Sequence, residues 1–134
     1  MIADSPQQIT PSQDDVTVLP LQNLLEAHNA AFNSYQAGQF SVIEAAGEID
    51  LAGAPEMRDF LGAAGSTHVV FDLRQVTFID ASGLGVLAKA WRMAEVSGGS
   101  VKLVAPSMRL RRLLAITRLD TVLPVYDTVG EAIG

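Results

Sequence analysis

The stretch His68-Val-Val-Phe-Asp-Leu constrains this chain more than any other. It carries almost no apolar-polar alternation, the mark of a strand buried on both faces. Such a strand needs cover on both sides, and helical patterns flank it. Ala54 to Leu61 reads as a helix, with Met57, Phe60 and Leu61 at core spacing, Pro55 in its first turn and Gly65 as its stop. Gly83 to Ser97 reads as a second helix. Leu84, Leu87, Trp91 and Ala94 follow a 3-4-3 spacing there, and Gly98-Gly99 ends it. Strands alternating with helices of this length mean an α/β layered fold with parallel strand pairs.

The other elements fall around this pair. Phe40-Ser-Val-Ile-Glu-Ala has strand character after a turn at Ala37-Gly38. Thr77-Phe-Ile is a short extended run aimed at Asp80, and Val101-Lys-Leu-Val is a further strand. Ser107 reads as the N-cap of a helix with Leu110, Leu113, Leu114 and Thr117 on one face. Val122 to Tyr126 reads as a last short strand. Thr128 to Ile133 reads as a closing helix capped by Asp127 or Thr128. Before Phe40 the pattern weakens. Val16 to Pro20 is a short apolar patch, Leu21, Leu24 and Leu25 have helical spacing, and His28 to Tyr35 is a poorly alternating strand candidate. The polar start, with Pro6 and Pro11, reads as a disordered tail, so the expected division is a tail over 1–20 and one domain over 21–134.

Composition excludes several classes. The 134 residues suit one domain, and 49% apolar content suffices for a core. There is no apolar run of membrane-span length, and Met1-Ile-Ala-Asp-Ser-Pro lacks the look of a secretion signal. The absence of cysteine excludes disulfides and thiolate metal sites and fits a cytoplasmic location. A net charge of -6 argues against direct nucleic-acid binding. The charge is uneven: residues 1–57 hold eight acids and no Lys or Arg, whereas residues 58–134 hold nine bases and seven acids. Either the surface is polarised and orients a protein partner, or an acidic tail carries the difference.

The chemistry concentrates in Thr77-Phe-Ile-Asp-Ala-Ser-Gly-Leu-Gly-Val-Leu. A strand ends at Asp80, a helix begins near Gly83, and Ser82 sits at the junction. Such junctions lie at the functional edge of parallel sheets. Ala81 and Gly83 are small, which lets another protein approach the hydroxyl. The nearby helix N-terminus favours negative charge, so a phosphate fits there. Spacing alone leaves the plainer reading open, with Ser82 an ordinary N-cap and Asp80 a loop acid. Catalytic alternatives lack parts. Gly83-Leu-Gly85 lacks the third glycine of a dinucleotide loop and the Lys-Ser/Thr of a P-loop. Ser82 lacks the Gly-x-Ser-x-Gly context. His28 and His68 are too far apart in sequence to suggest a metal site, and His68 reads as structural or surface.

Further motifs carry a resemblance. Gly47-Glu-Ile-Asp-Leu-Ala-Gly-Ala-Pro-Glu, then Val69-Val-Phe-Asp-Leu through Asp80-Ala-Ser-Gly-Leu-Gly, then Leu119-Asp-Thr-Val-Leu-Pro-Val-Tyr-Asp-Thr-Val-Gly-Glu-Ala follow one another over residues 38–134. In order and spacing they resemble the STAS family of bacterial anti-sigma factor antagonists. The resemblance implies a single mixed sheet of four to five strands, with about four helices packed mainly on one side. It implies a non-enzymatic, cofactor-free binding protein. Its unphosphorylated form would bind an anti-sigma factor that is also a serine kinase of the GHKL type, freeing a sigma factor. Phosphorylation of Ser82 would switch it off, and a PP2C-type phosphatase would restore it. Asp80 carries over as the acid beside the phosphosite and Gly83 as the glycine after it. Ala81 departs from the family, where a hydroxyl residue is common, and leaves Ser82 as the sole acceptor.

Partner contact is expected at Asp50, Asp80, Ala81, Gly83, Leu84 and Lys89, with Arg92 nearby. Leu84 and Leu87 are expected to face inward. Trp91 reads as a half-buried anchor. Arg109, Arg111, Arg112 and Arg118 form either a stripe for an acidic partner or ordinary solvated charges. Two rival functions remain: a STAS subunit of another assembly, such as a stressosome-like scaffold or a lipid-transport accessory, and a nucleotide-binding domain using the Ser82-Gly83 turn.

Overall fold

The structure, a computed structural model, describes residues 29–105 and 107–134. The expected tail, the apolar patch, the leucine spacing before residue 26 and His28 lie outside them. In chain order the elements are β1 (Ala30–Ala37), β2 (Phe40–Ile49), α1 (Ala54–Gly62), β3 (His68–Ile79), α2 (Ala81–Ser97), β4 (Ser100–Val104), α3 (Met108–Ile116), a 3₁₀ turn (Leu119–Thr121), β5 (Val125–Tyr126) and α4 (Val129–Ile133). The five strands form one mixed sheet in the order β1-β2-β3-β4-β5. β1 and β2 form an antiparallel hairpin, and the remaining neighbours are parallel. Gly38 has φ +61, which a glycine reaches without strain, and so the hairpin turns in two residues.

Helices α1, α2 and α3 cover one face. Met57 and Leu61, Val86 and Leu87, and Leu110 and Leu114 meet Ile43, Ile49, Phe71, Leu73 and Leu103 of the sheet. Fully burying each side chain of this size contributes about 1.5–3 kcal/mol. Short α4 lies on the other face, where Ala132 packs with Val42, Val70 and Val104. Val69 to Leu73 are all buried, as a strand covered on both faces requires. That stretch includes Asp72, only 5% exposed, whose carboxylate accepts from Arg74 Nε at 2.9 Å and Nη2 at 2.7 Å. A fork of two parallel bonds offsets the cost of burying that charge.

Several boundaries differ from the sequence expectation. Thr77-Phe-Ile continues β3 rather than standing apart, because Val76, Phe78 and Ile79 pair with Gly47, Glu48 and Ile49 of β2. The ladder shifts register at Gly47, whose φ of +85 accommodates an irregular strand, and this carries β2 past Ala45 to Ile49. α1 stops at Gly62, before Gly65. Val122 lies outside β5 and is exposed, since the 3₁₀ turn occupies the chain before it. Thr117 is exposed and caps its own turn through hydrogen bonds to the Leu113 and Leu114 carbonyls. Two capping expectations hold: Ser107 accepts from the Leu110 N–H, and Thr128, not Asp127, caps α4.

Candidate functional site: the β3–α2 corner

β3 ends at Ile79, and Asp80 begins the next element with an extended backbone, φ -111 and ψ -169. Its carboxylate Oδ1 accepts from the Ser82 N–H at 2.8 Å and more weakly from the Gly83 N–H at 3.4 Å. Its own N–H donates to the Ile49 carbonyl at 3.2 Å, and its carbonyl accepts from Leu84 N–H at 3.0 Å. Asp80 is therefore the N-cap of α2. The helix starts at Ala81, two residues earlier than expected, and Ser82 sits inside its first turn. The plainer reading, in which Ser82 is the cap, is thereby corrected. With the backbone donors beside it already engaged by Asp80, the Ser82 hydroxyl has no capping duty. The residue is half-buried, and among the described residues its hydroxyl makes no hydrogen bond.

The partner-contact residues divide by position. Ala81 and Lys89 are exposed. Asp80 and Asp50 are half-buried. Asp50 Oδ1 accepts from Ala52 N–H at 3.0 Å and Gly53 N–H at 3.1 Å, closing the turn into α1. Gly83 is buried, and a Cβ there would come within 2.6 Å of Ile79 Cγ1 and 2.8 Å of Ile49 Cγ2. Its smallness lets the helix approach the sheet. The inward face of α2 is Gly83, Val86, Leu87, Ala90 and Ala94. Leu84 and Trp91 are half-buried on its flanks. The 3-4-3 spacing caught only Leu87 and Ala94 of this face, because three of its five residues are glycine or alanine.

The outer face of α2 runs away from the corner. Ser82 and Lys89 are seven residues apart, two helical turns or roughly 10 Å on the same side. Val96 repeats the interval and is 90% exposed, with Arg92 and Met93 beside it. At the corner itself Leu51, in the loop after β2, is 77% exposed. Leu51, Met93 and Val96 were not singled out in the sequence. Their signal was apolar character away from the core spacing. The chain thus presents a hydroxyl and Leu51 at the corner, and Lys89, Met93 and Val96 further along α2, all accessible. No group of three or more potential metal-ligating side chains occurs among the described residues. None of their helices is long and apolar enough to cross a membrane.

A second polar group lies on the sheet face that carries α4. Asn33 donates to Glu44 Oε1 at 3.0 Å. Burial pushes the Glu44 carboxyl above its ordinary value, and nearby Asp72 adds to the effect. Burial likewise raises Tyr35, with Glu44 and Asp72 contributing. The hydrogen bonds that it donates to Asp72 hold the Arg74 guanidinium more firmly in its charged form.

Fold and corner define a single-sheet α/β domain that presents a strand-to-helix edge rather than an enclosed cleft. The chain belongs to the STAS domain family, whose model matches residues 7–132. A protein of Thermotoga neapolitana, provisionally named an anti-sigma factor antagonist, is 36% identical over 69 residues, or 52% of this chain and 61% of that one. This chain thus spans about six tenths of the length of the two Thermotoga relatives it matches. The anti-sigma-B factor antagonist of Bacillus subtilis is 36% identical over 85 residues, 62% of this chain and 78% of the relative. Among solved structures, an anti-sigma factor antagonist from Mycobacterium paratuberculosis aligns with TM-score 0.66 and 29% identity, covering 78% of this chain and 91% of its own. The Bacillus cell fate determinant SpoIIAA in its phosphorylated form aligns with TM-score 0.63 and 25% identity, covering 77% and 96%.

Proposed function

We propose that this chain is an anti-sigma factor antagonist whose docking to an anti-sigma factor is switched by phosphorylation of Ser82. The observation that carries the reading is the Ser82 hydroxyl. It is half-exposed at the first turn of α2, while Asp80 does the capping. Relatives named as anti-sigma factor antagonists, and a structural relative known in a phosphorylated form, support the same reading.

The unphosphorylated corner docks through Ala81, Ser82 and Leu51, and the contact extends along α2 to Lys89. The partner is an anti-sigma factor that is also a GHKL-type serine kinase. In the transfer, the Ser82 oxygen bonds the γ-phosphorus of ATP and gives up its proton to a base of the kinase, the bond from γ-phosphorus to the bridging oxygen breaks, and ADP leaves. A PP2C-type phosphatase returns the hydroxyl by hydrolysis. The phosphate adds about -1.5 to -2 charges at neutral pH. It stands beside the Asp80 carboxylate, which already holds the helix-terminal donors. Pressing two like charges against a partner adds repulsion to desolvation, and the complex loses affinity. On this reading the chain works by binding, without catalysis of its own, in the cytoplasm where sigma factors act.

Incubation with an anti-sigma kinase and ATP, followed by mass spectrometry, tests the assignment. One phosphate on the peptide containing Ser82, absent from Ser82→Ala, is expected. Phosphate that persists at another residue in Ser82→Ala overturns it.

A further inference from the structure

β3 is longer than its neighbour. β4 pairs with His68 to Asp72 only, so from Arg74 to Ile79 β3 is laddered to β2 on one side and has no strand on the other among the described residues. That bare edge faces α3 across a groove of ≈ 390 Å³. Val76, Thr77 and Phe78 form one wall, and Arg109, Arg112 and Ile116 stand on the other. Phe78 is 50% and Ile116 72% exposed, so the groove offers uncovered apolar surface. No acidic residue lines it, and among the described residues neither Arg109 nor Arg112 is in a salt bridge.

An unpaired strand edge is a template for another strand. Main-chain bonding supplies affinity in such additions, and side-chain pockets beside the edge supply selectivity. We infer that this groove docks an extended segment of a partner protein, about seven residues long, whose alternate side chains, the ones that face α3, are acidic in one half and apolar in the other. The backbone of the segment adds to the edge at Val76–Ile79. Its apolar side chains fill the space against Leu113 and Ile116, and its carboxylates meet Arg109 and Arg112. This goes beyond the Ser82 reading and does not use that hydroxyl.

The test uses the full chain, ¹⁵N-labelled, titrated with the synthetic peptide acetyl-Asp-Ser-Glu-Ser-Val-Ser-Ile-amide and with its counterpart carrying Lys at each acidic position. The acidic peptide is expected to shift the amide signals of Val76–Ile79 and of α3 and to slow hydrogen exchange along that edge. The double variant Arg109→Glu/Arg112→Glu, its fold checked by circular dichroism, should bind at least tenfold more weakly, and the milder Arg112→Gln should fall between. Ser82→Ala should bind as wild type does. Absent shifts, equal binding of the lysine peptide, or shifts confined to α2 overturn the proposal. So does an edge already protected in the free chain, whether by its own residues 1–28 or, at high concentration only, by a second copy.

Discussion

Gly83 and Gly85 stand two residues apart in one helix and do different work. A Cβ at Gly83 collides with Ile79 and Ile49, whereas a Cβ at Gly85 meets nothing within 4 Å. Overpacking costs about 1–3 kcal/mol, against about 1 kcal/mol that alanine returns in helix propensity. Gly83→Ala should therefore lower the unfolding free energy, and Gly85→Ala should raise it by roughly 0.5–1 kcal/mol. Urea titrations of the two variants check this; equal effects would contradict the packing. Asp80 allows a second comparison. Asp80→Ala removes a cap worth about 1 kcal/mol, while Asp80→Asn keeps the acceptor and most of the stability. At this scale the sequence was partly legible. The Asp-x-Ser-Gly order located the corner, but which residue capped the helix depended on φ at Asp80, which side-chain identity does not encode.

At the scale of elements, β3 joins the core to the corner. Its buried first half anchors the sheet, and its second half carries the chain out to the corner. Val69 to Leu73 were legible because a run without alternation has one stable place, between two layers. The continuation to Ile79 was not, because exposed Arg74, Gln75 and Thr77 interrupt the apolar pattern while the ladder to β2 goes on. The hairpin strand β1 was hard to read for a related reason. Asn33 and Tyr35 sit on a polar patch of the sheet, so tertiary placement, not alternation, decides their state. That patch makes a pH prediction. The folded pKa of Glu44 is raised above its unfolded value by burial. The stability this gives is present below the unfolded pKa and lost as pH rises through the folded one. Glu44→Gln keeps an acceptor for Asn33 and removes that loss. It should raise the melting midpoint at pH 7 slightly, since solvent screens much of the effect at a half-buried site. Below the ordinary glutamate range the gain should vanish. A midpoint that falls at pH 7 contradicts the electrostatic account.

At the largest scale, three of the four described helices gather on one face of the sheet and short α4 on the other, which leaves the ends and edges of the sheet to present function. Two of the family motifs revealed the fold because each fixes a backbone necessity: Gly47 at positive φ and Gly83 at a close approach. They did not reveal the uncovered apolar residues Leu51 and Val96, whose one signal is apolar character away from the core spacing. If the outer face of α2 is the docking surface, Lys89→Glu and Val96→Asp should each weaken binding to the anti-sigma factor, by about three- to thirtyfold, without shifting the melting midpoint. Calorimetric titration of one anti-sigma factor with three forms of the chain tests the central claim most directly. Wild type and Ser82→Ala should bind alike, and Ser82→Asp or the phosphorylated protein should bind about a hundredfold more weakly, a difference of about 2.8 kcal/mol. Equal dissociation constants for the phosphorylated and unphosphorylated proteins would contradict it.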